Sequence, residues 1–336
     1  MKCLACLWML PAAVLALGAA GGCSKEPESA DLAAGLPGGV PRVALVYKAT
    51  TNPFFQAMEK GAVEEAAKLG VRLEVQGIAS ETDVDRQAEI IRIMLGKGVQ
   101  AIVIAPASSI GIVTPLVEAQ KEGVKIINID NRIDPDEAKK RGLEVATFIG
   151  PDNFTGARIV AEHACGLIKA KLAAGRTGKV FILNGITGVA NAGARKAGFE
   201  AAVKNAGLVL AGSNSAEWDT AKAQGATESF LNNNSDVQGI LCANDKMALG
   251  AIAAAKSLGR LADLVIVGYD NIDLARDAIR RGEMQATIEQ NPAMMGALGV
   301  ENAVKAIRGE AVPAEVPVPV QLITADDVKA ADATTP

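Results

Sequence analysis

The amino-acid sequence predicts an α/β protein of two doubly wound domains, each built on a parallel sheet with helices on both faces. Three observations carry this prediction. Short runs rich in Val, Ile and Leu alternate with longer amphipathic segments along most of the 336 residues. The short runs are apolar throughout, as expected for strands that are buried on both faces. About ten such runs in a chain of this length favour two sheets over one, with a single barrel as the alternative.

The N-terminal segment has a different character from the rest of the chain. Lys2 is followed by an apolar run to about Ala20 and then by small residues that end at Cys23. The run is short for a membrane span, and the pattern is typical of an export signal, which we place at residues 1–22. The small residues before Cys23 resemble the signal of bacterial lipoproteins, although Ala20 stands where that signal usually has Leu. The resemblance implies a lipid on Cys23 that anchors the chain to a membrane in the periplasm or cell envelope; an ordinary cleaved signal is the alternative.

From residue 23 the chain reads as a tether followed by regular elements. Residues 23–41 are rich in Pro, Gly and charged side chains without periodicity, which indicates a flexible segment. The predicted strands follow in the order RVALVY, VRLEVQG, AIVIAP, KIINID, ATFIG, KVFILNG, LVLAGS, GILCAN, LVIVGYD and MQATIEQ. Helix-length segments lie between most of them, among them FFQAMEKGAVEEAAKL, RQAEIIRIMLGKG and KMALGAIAAAKSLG. Strands separated by helices in this way are those of parallel sheets.

Composition and motifs restrict the class of function. The 34 Lys and Arg against 38 Asp and Glu give a net charge of -4, so the overall charge does not favour a nucleic-acid partner. Cys3 and Cys6 lie inside the predicted signal and Cys23 directly follows it, which leaves Cys165 and Cys242; for these two we expect buried thiols rather than a disulfide framework or a metal cluster. His163 is the only histidine, and nothing near it suggests a nucleophile with its base. The Gly-rich loop GITGVANAGARKAG lacks the spacing of the phosphate-binding motifs. We therefore expect no catalytic residue, no metal and no cofactor.

Polar and aromatic side chains gather where the predicted strands end. In open α/β sheets, ligands bind beyond the carboxyl ends of the strands, so these residues form the candidate site. Their amide, carboxylate and guanidinium groups suit hydroxyls that each need a donor and an acceptor, and their rings can cover the C–H faces of a sugar. The pattern favours a small hydroxyl-rich ligand. The candidate residues are Lys48, Asn52, Phe54, Phe55, Asp130, Asn131, Arg195, Trp218, Asn244, Asp270 and Gln290, with Arg132 and Asn191 as additional candidates.

Each candidate also has an ordinary structural interpretation, because Asn and Asp favour helix N-caps and turns. Asn52 can cap a helix that has Pro53 in its first turn, and this places Phe54 and Phe55 at the mouth of the cleft. One of the two Phe residues could equally be core, since adjacent helical residues point in different directions. Arg132 could be a solvated loop charge. The residues that we interpret as caps are Asp152, Asp219 and Asp245.

The stretch from Arg42 to Ile323 resembles the periplasmic sugar-binding proteins of ABC importers, most nearly those of the ribose-binding type. The resemblance rests on the combination of NPFF, NIDNR, PDNFTGA, GARKAGF, WD, ANDKMALGA, VGYDN and ATIEQNP. It implies that the sugar contacts are Asn52, Phe54, Phe55, Asp130, Arg195, Trp218, Asn244, Asp270 and Gln290.

The chain departs from the ribose-binding type at three positions. Lys48 stands where that type has a small polar residue, and Ala105 stands where it has Asn. Asn131 separates Asp130 from Arg132, whereas that type has Arg directly after the Asp. We therefore expect Lys48 and Asn131 to select another pentose, a hexose or a polyol, and Asn191 to add a contact.

The resemblance also implies the architecture and the partners. It implies two lobes joined by three crossings, the first at residues 42–151 and 291–319 and the second at 152–290 and 320–336. We expect the lobes to close around a monosaccharide or polyol, and the closed monomer to dock on the permease subunits of an ABC importer. A receptor that reports a sugar or a furanosyl signal is the main alternative. The effector domain of a repressor is a weaker one, because an export signal stands where a DNA-binding headpiece would be.

Overall fold

The computed structural model describes residues 39–334, which form two six-stranded sheets. The predicted signal, Cys23 and most of the tether lie outside the described residues. The first sheet holds β1 (Arg42–Tyr47), β2 (Arg72–Gly77), β3 (Ala101–Ile104), β4 (Lys125–Ile129), β5 (Thr147–Pro151) and β11 (Glu315–Val318). The second holds β6 (Lys179–Asn184), β7 (Val209–Ser215), β8 (Gly239–Cys242), β9 (Val265–Val267), β10 (Ala286–Glu289) and β12 (Gln321–Thr324). The predicted fold class, two parallel sheets flanked by helices, is confirmed.

The two sheets share one topology. Their strand orders are β11-β5-β4-β3-β1-β2 and β12-β10-β9-β8-β6-β7, so β1 to β5 of the first sheet correspond to β6 to β10 of the second. Every pairing is parallel except that of β12 with β10. The chain passes between the sheets after β5, after β10, and between β11 and β12. We call each sheet with its helices a lobe; the residue boundaries given for the lobes stay a prediction.

Helices cover the sheets and start mostly at side-chain caps. The described α-helices are α1 (Pro53–Leu69), α2 (Val84–Gly96), α3 (Val113–Lys121), α4 (Pro135–Arg141), α5 (Asn153–Lys171), α6 (Ala190–Asn205), α7 (Thr220–Asn233), α8 (Asp245–Ser257), α9 (Asp273–Arg280), α10 (Pro292–Ile307) and α11 (Ala325–Thr334). Asn52 caps α1, and the predicted caps Asp152 of α5 and Asp219 of α7 are confirmed. The cap prediction for Asp245 is wrong, because Asn244 caps α8 and Asp245 is its first residue. The side chain nearest the free N–H groups is therefore one position earlier than expected.

Both faces of the first sheet are buried, as the uninterrupted apolar strands predict. Val43 and Leu45 of β1 belong to one hydrophobic cluster, whereas Ala44 and Val46 belong to a second one. Because successive side chains of a strand point to opposite faces, the two clusters lie on the two sides of the sheet. The cluster with Val43 continues into the second lobe, where it includes successive residues of β6 and so covers both faces of the second sheet.

Helices α1 and α10 approach each other closely in the first lobe through two glycines. A Cβ atom on Gly61 would lie 2.0 Å from the carbonyl oxygen of Ala293, and one on Gly296 would lie 2.0 Å from that of Met58. Neither position has room for a side chain, because the opposing atoms are backbone. Helix α10 follows β10 of the second sheet in the chain, but it packs against α1 in the first lobe.

Two strands were not predicted, β11 and β12. The segment EVPVPVQLIT that contains them is interrupted by Pro317 and Pro319, and Pro lacks the N–H that a central strand must donate. Both strands lie at a sheet edge, where this loss is tolerated. Within residues 39–334, no helix combines the length and the apolar character needed to cross a bilayer.

Candidate ligand-binding site between the lobes

A narrow cavity of about 20 Å³ lies between the two lobes, walled by residues that follow the strands of both sheets. The lining residues are Lys48, Asn52, Phe54, Phe55, Glu81 and Asp130 from the first lobe and Asn191, Arg195, Trp218, Asn244, Asp270 and Gln290 from the second. None of these residues is more than 9% exposed. Walls from two lobes that are buried to this degree mean that the lobes are closed over the cavity.

Two aspartates enter the cavity from equivalent turns. Asp130 follows β4 and Asp270 follows β9, with φ angles of 62° and 124°. The backbone N–H of Asp130 donates to the carbonyl oxygen of Ile149 at 3.0 Å, and that of Asp270 donates to Ile288 at 2.8 Å. A positive φ is unfavourable for a residue with a side chain and is often found at functional sites. Each turn holds its carboxylate at the end of the sheet.

A buried cation sits between two carboxylates on the first-lobe wall. Lys48 Nζ lies 3.5 Å from Glu81 Oε2 and 3.5 Å from Asp130 Oδ2. Asn52 Nδ2 donates a long hydrogen bond of 3.5 Å to Glu81 Oε1. Burial raises the pKa of the Glu81 carboxyl, and the Lys48 charge opposes this increase. Lys48 is neutralised within its own lobe and does not present a free charge to a ligand.

On the second-lobe wall, Arg195 is fixed by a network of hydrogen bonds. Its Nε donates to Asn153 Oδ1 at 2.7 Å, and its Nη1 donates to the carbonyl oxygen of Ala243 at 2.8 Å. Its Nη2 donates to Gln290 Oε1 at 3.2 Å, and Gln290 Nε2 donates to Asp270 Oδ1 at 2.6 Å. Asp270 Oδ1 lies 3.6 Å from Arg195 Nη1. A guanidinium carries five N–H groups, so these three bonds leave two N–H groups for a ligand.

Burial and charge act in opposite directions on Asp270. Burial raises the pKa of its carboxyl well above the usual range, whereas the Arg195 guanidinium lowers it. The guanidinium carbon also lies 3.8 Å from the centre of the Tyr269 ring and 5.6 Å from that of Trp218. Stacking and hydrogen bonding together hold the Arg195 plane in one orientation.

Aromatic rings supply the apolar part of the wall. Phe54 and Phe55 meet edge to face with their ring centres 4.9 Å apart, and both line the cavity. The alternative that one of them serves only the core is therefore not what the structure shows. On the other lobe the Trp218 ring lies over Gly185, where a Cβ atom would come within 2.0 Å of the ring carbon Cζ2. Gly185 thus makes room for the ring.

Three buried polar atoms of the lining have no hydrogen-bond partner within the described part of the protein. They are Asp130 Oδ2, which has the ion pair with Lys48 Nζ at 3.5 Å but no hydrogen bond, Asn191 Oδ1 and Trp218 Nε1. Buried polar atoms are rarely left without a partner, because each one costs free energy. Two acceptors and one donor of this kind around one cavity match a ligand that offers several hydroxyl groups.

Most of the predicted site residues line this one cavity. The residues brought together are Lys48, Asn52, Phe54, Phe55, Asp130, Asn191, Arg195, Trp218, Asn244, Asp270 and Gln290. Asn131 and Arg132 do not line it. Arg132 is partly exposed, pairs with Glu315 at 2.9 Å and stacks over the Phe148 ring at 3.8 Å. Asn131 is buried, but its side chain contacts Pro106, Ser109 and the second lobe.

Glu81 lines the cavity and was not predicted. It stands four residues beyond the end of β2, within the loop that leads to α2 rather than directly at the strand end. A signal was present nonetheless: Lys48 follows an apolar strand, and a buried ammonium group needs a carboxylate partner. Among the described residues, no cluster of His, Cys, Asp and Glu is suited to a metal ion.

The fold and the cavity define a class of two-lobed binding proteins, which enclose a small solute between α/β lobes. The chain belongs to the periplasmic binding protein family: residues 43–311 match the family's "Periplasmic binding protein domain". The D-ribose/D-allose-binding protein of Pseudomonas aeruginosa is 37% identical over 293 residues, 85% of this chain and 89% of that protein. The D-allose-binding periplasmic protein of Escherichia coli is 36% identical over 272 residues, 80% of this chain and 86% of that protein.

A solved structure shows the same similarity in three dimensions. An ABC transporter periplasmic solute-binding protein from Actinobacillus succinogenes, crystallised with bound D-allose, superposes with a TM-score of 0.80 at 33% identity. The match covers 86% of this chain and 99% of that one. The predicted relationship to the periplasmic sugar-binding proteins of ABC importers is confirmed.

Proposed function

We propose that the protein is the extracytoplasmic sugar-binding component of an ABC importer and that it encloses one neutral monosaccharide between its lobes. The observation that carries the proposal is the closed cavity, in which carboxylates, amides and a guanidinium from both lobes surround aromatic rings. The relatives that bind D-ribose and D-allose support the ligand class. A pentose such as ribose and a hexose such as allose are the first candidates, with related polyols next.

The charges of the site favour a neutral ligand. Lys48 and Arg195 are the cations of the lining, and Glu81, Asp130 and Asp270 are its anions. Each cation has carboxylate partners within its own lobe, so no uncompensated positive charge would attract a phosphate. Sugar phosphates and sugar acids would bring a further negative charge beside these carboxylates, so we expect them not to bind.

The proposed roles follow from the geometry. Asp130 and Asp270 accept from sugar hydroxyls, and Arg195 donates through its two remaining N–H groups. The rings of Phe54, Phe55 and Trp218 pack on the C–H faces, where buried apolar area contributes about 25 cal/mol per Å². The remaining proposed contacts are Lys48, Asn52, Asn191, Asn244 and Gln290, with Glu81 added from the structure.

The transporter would recognise the closed arrangement of the two lobes. A sugar that contacts both lobes is bound more tightly by the closed form than by the open form, and this difference shifts the population toward closure. We propose that permease subunits recognise the closed monomer, that Cys23 carries the lipid anchor, and that the protein catalyses no reaction. The proposed lobes are residues 42–151 with 291–319 and residues 152–290 with 320–336.

Isothermal titration and thermal denaturation of the purified protein test the proposal. D-ribose, D-allose, D-glucose and myo-inositol serve as neutral probes, and D-ribose 5-phosphate serves as the matched anionic control. A sugar present at one hundred times its Kd adds about 2.7 kcal/mol to the free energy of unfolding. We expect at least one neutral sugar to raise Tm and the phosphate to have no effect. If none of the four neutral probes binds, the proposal is contradicted.

A further inference from the structure

Helix α6 begins without a cap of its own. The residue at its N-cap position is Val189, which has no side-chain acceptor, whereas Ser, Thr, Asp and Asn are preferred there. The first N–H groups of a helix have no partner within the helix. In α6 the first N–H groups therefore need acceptors other than the side chain at the N-cap position.

The first lobe supplies the missing acceptors. The backbone N–H of Ala190 donates to Ser109 Oγ at 3.1 Å, and that of Asn191 donates to Asn131 Oδ1 at 3.3 Å. Ser109 is 4% exposed and Asn131 is fully buried. Both bonds cross from one lobe to the other, so they exist only while the lobes are closed.

The two acceptors are held in place by their own lobe. Asn131 Nδ2 donates to the carbonyl oxygen of Pro106 at 3.1 Å, and the carbonyl oxygen of Asn131 accepts from Asn128 Nδ2 at 2.8 Å. The carbonyl oxygen of Ser109 accepts from the N–H of Asp134 at 2.8 Å. These bonds lie within the first lobe and do not depend on closure. The acceptors are therefore preorganised for the arriving helix end.

We propose that Ser109 and Asn131 are positioning residues for sugar binding, which stabilise the closed form by capping α6 across the cleft. We call the two bonds, from Ala190 to Ser109 and from Asn191 to Asn131, the α6 clasp. The inference rests on the proposed function, because it assigns the clasp an effect on sugar affinity. The clasp acts through Asn191, whose N–H is capped while its side chain lines the cavity. When the lobes open, the N–H groups of Ala190 and Asn191 lose these two acceptors and are exposed to water.

Alanine substitutions measure the contribution of the clasp. Loss of one N-cap acceptor corresponds to a weakening of about twofold to thirtyfold, so Ser109→Ala and Asn131→Ala should each raise the Kd of the best neutral sugar by that factor. Ser108→Ala is the matched control. Ser108 Oγ accepts from the N–H groups of Ile110 and Gly111 within the first lobe and has no bond to the second lobe. Its Kd should equal that of the wild type.

A cap placed on α6 itself separates the clasp from general damage to the first lobe. Val189→Thr preserves the side-chain shape and adds an N-cap acceptor that can reach the N–H of Asn191 or Ala192. In this background the helix end is capped in the open form too. We therefore expect Asn131→Ala to weaken sugar binding less in V189T than in the wild type. An equal loss in both backgrounds would assign the effect to local damage and overturn the clasp.

The separation of the lobes gives a readout that does not depend on the sugar contacts. Fluorophores on Lys140→Cys and Lys204→Cys, both exposed and on different lobes, report the distance by energy transfer. At one sugar concentration that does not saturate the wild type, both alanine variants should show a smaller closed fraction than Ser108→Ala. Wild-type Kd and closed fraction in both alanine variants would overturn the clasp while the proposed function stands. If the wild type binds no sugar, the proposed function fails. The clasp is then tested by the closed fraction of the sugar-free protein. It is overturned if the sugar-free wild type shows no closed form, or if both alanine variants show the same closed fraction as the wild type.

Discussion

Asp130 and Asp270 hold equivalent places in the two lobes: each follows the fourth parallel strand of its sheet and bonds through its N–H to the fifth. The positive φ of both residues turns the chain so that the carboxylates face one cavity from opposite sides. The proposed ligand would therefore meet the same carboxylate-bearing turn twice, once from each lobe.

Replacement of either aspartate by asparagine should weaken sugar binding. Asn tolerates a positive φ better than most residues, so Asp130→Asn and Asp270→Asn should keep the turn while losing the charge that accepts from sugar hydroxyls. A hydrogen bond to a charged group contributes about 1.5–3 kcal/mol, which corresponds to a Kd raised by about tenfold to a hundredfold. Isothermal titration measures the change. Asp219→Asn, a partly exposed cap where Asn serves equally well, is the control; an unaltered Kd in both cavity variants would remove the aspartates from the site.

Replacement of Arg195 by lysine should affect both binding and stability. The guanidinium donates to Asn153, Ala243 and Gln290 at once, and an ammonium group cannot reproduce that planar set. Removing one partner of a buried charged network costs about 3–5 kcal/mol, so Arg195→Lys should lower Tm markedly and abolish measurable sugar binding.

Thermal denaturation with and without sugar checks this expectation for Arg195. The control is Arg158→Lys, whose partner Glu162 lies one helical turn away in a partly exposed pair. Such pairs contribute about 0.3–0.5 kcal/mol, so its Tm should change little. Equal behaviour of the two lysine variants would contradict the role assigned to Arg195.

The position of the Trp218 ring depends on Gly185. A Cβ atom at Gly185 would come within 2.0 Å of the ring, so Gly185→Ala must displace the ring from the cavity wall. We expect at least a tenfold loss of sugar affinity, because the C–H face of the sugar would no longer be buried against the ring. Each Å² of apolar surface that is no longer buried costs about 25 cal/mol. Gly193→Ala is the matched control, because no atom lies within 4 Å of the added Cβ in helix α6. Its affinity should be that of the wild type and its stability slightly higher. Wild-type affinity in Gly185→Ala would show that the ring does not contact the sugar.

The contribution of Asp245 to the free energy of unfolding should fall as the pH rises from about 4 to 6. Burial raises the pKa of the Asp245 carboxyl from 3.8 to about 6, although it accepts hydrogen bonds from Thr287 and from the N–H of Ile272. The native state therefore holds its proton more tightly than the unfolded state, and this contribution to stability is complete below pH 3.8 and lost above about 6. The slope is at most about 1.4 kcal/mol per pH unit for one group.

Urea denaturation at pH 4, 5, 6 and 7 checks this pH dependence. Asp245→Asn cannot titrate, so its free energy of unfolding should decline less over this range than that of the wild type. The shift at Asp270 has the same sign, and part of the decline should therefore remain in the variant. A decline of the same size in both proteins would exclude Asp245 as its source.

The fold could be predicted almost entirely from the sequence, because strands buried on both faces leave an unmistakable apolar pattern. The exceptions, β11 and β12, are short edge strands in a Pro-rich segment, where pairing depends on a partner distant in the chain. The site could be predicted to the level of strand ends, because parallel strands bring their carboxyl ends to one edge. It could not be predicted that Asn131 and Arg132 lie outside the cavity lining. The positive φ of Asp130 turns the chain, and Asn131 is directed to the second lobe instead.

The close contact of α1 with α10 has a consequence for the order of assembly. The five parallel strands of the second sheet lie in one continuous stretch, residues 179–289. The groove beside Gly61 and the edge of β5 are instead covered by residues 292–318, which follow that stretch. A growing polypeptide can thus complete the strands of its second half while the first half still waits for its closing helix. The lobe that is synthesised first is thus completed only after the five parallel strands of the second lobe.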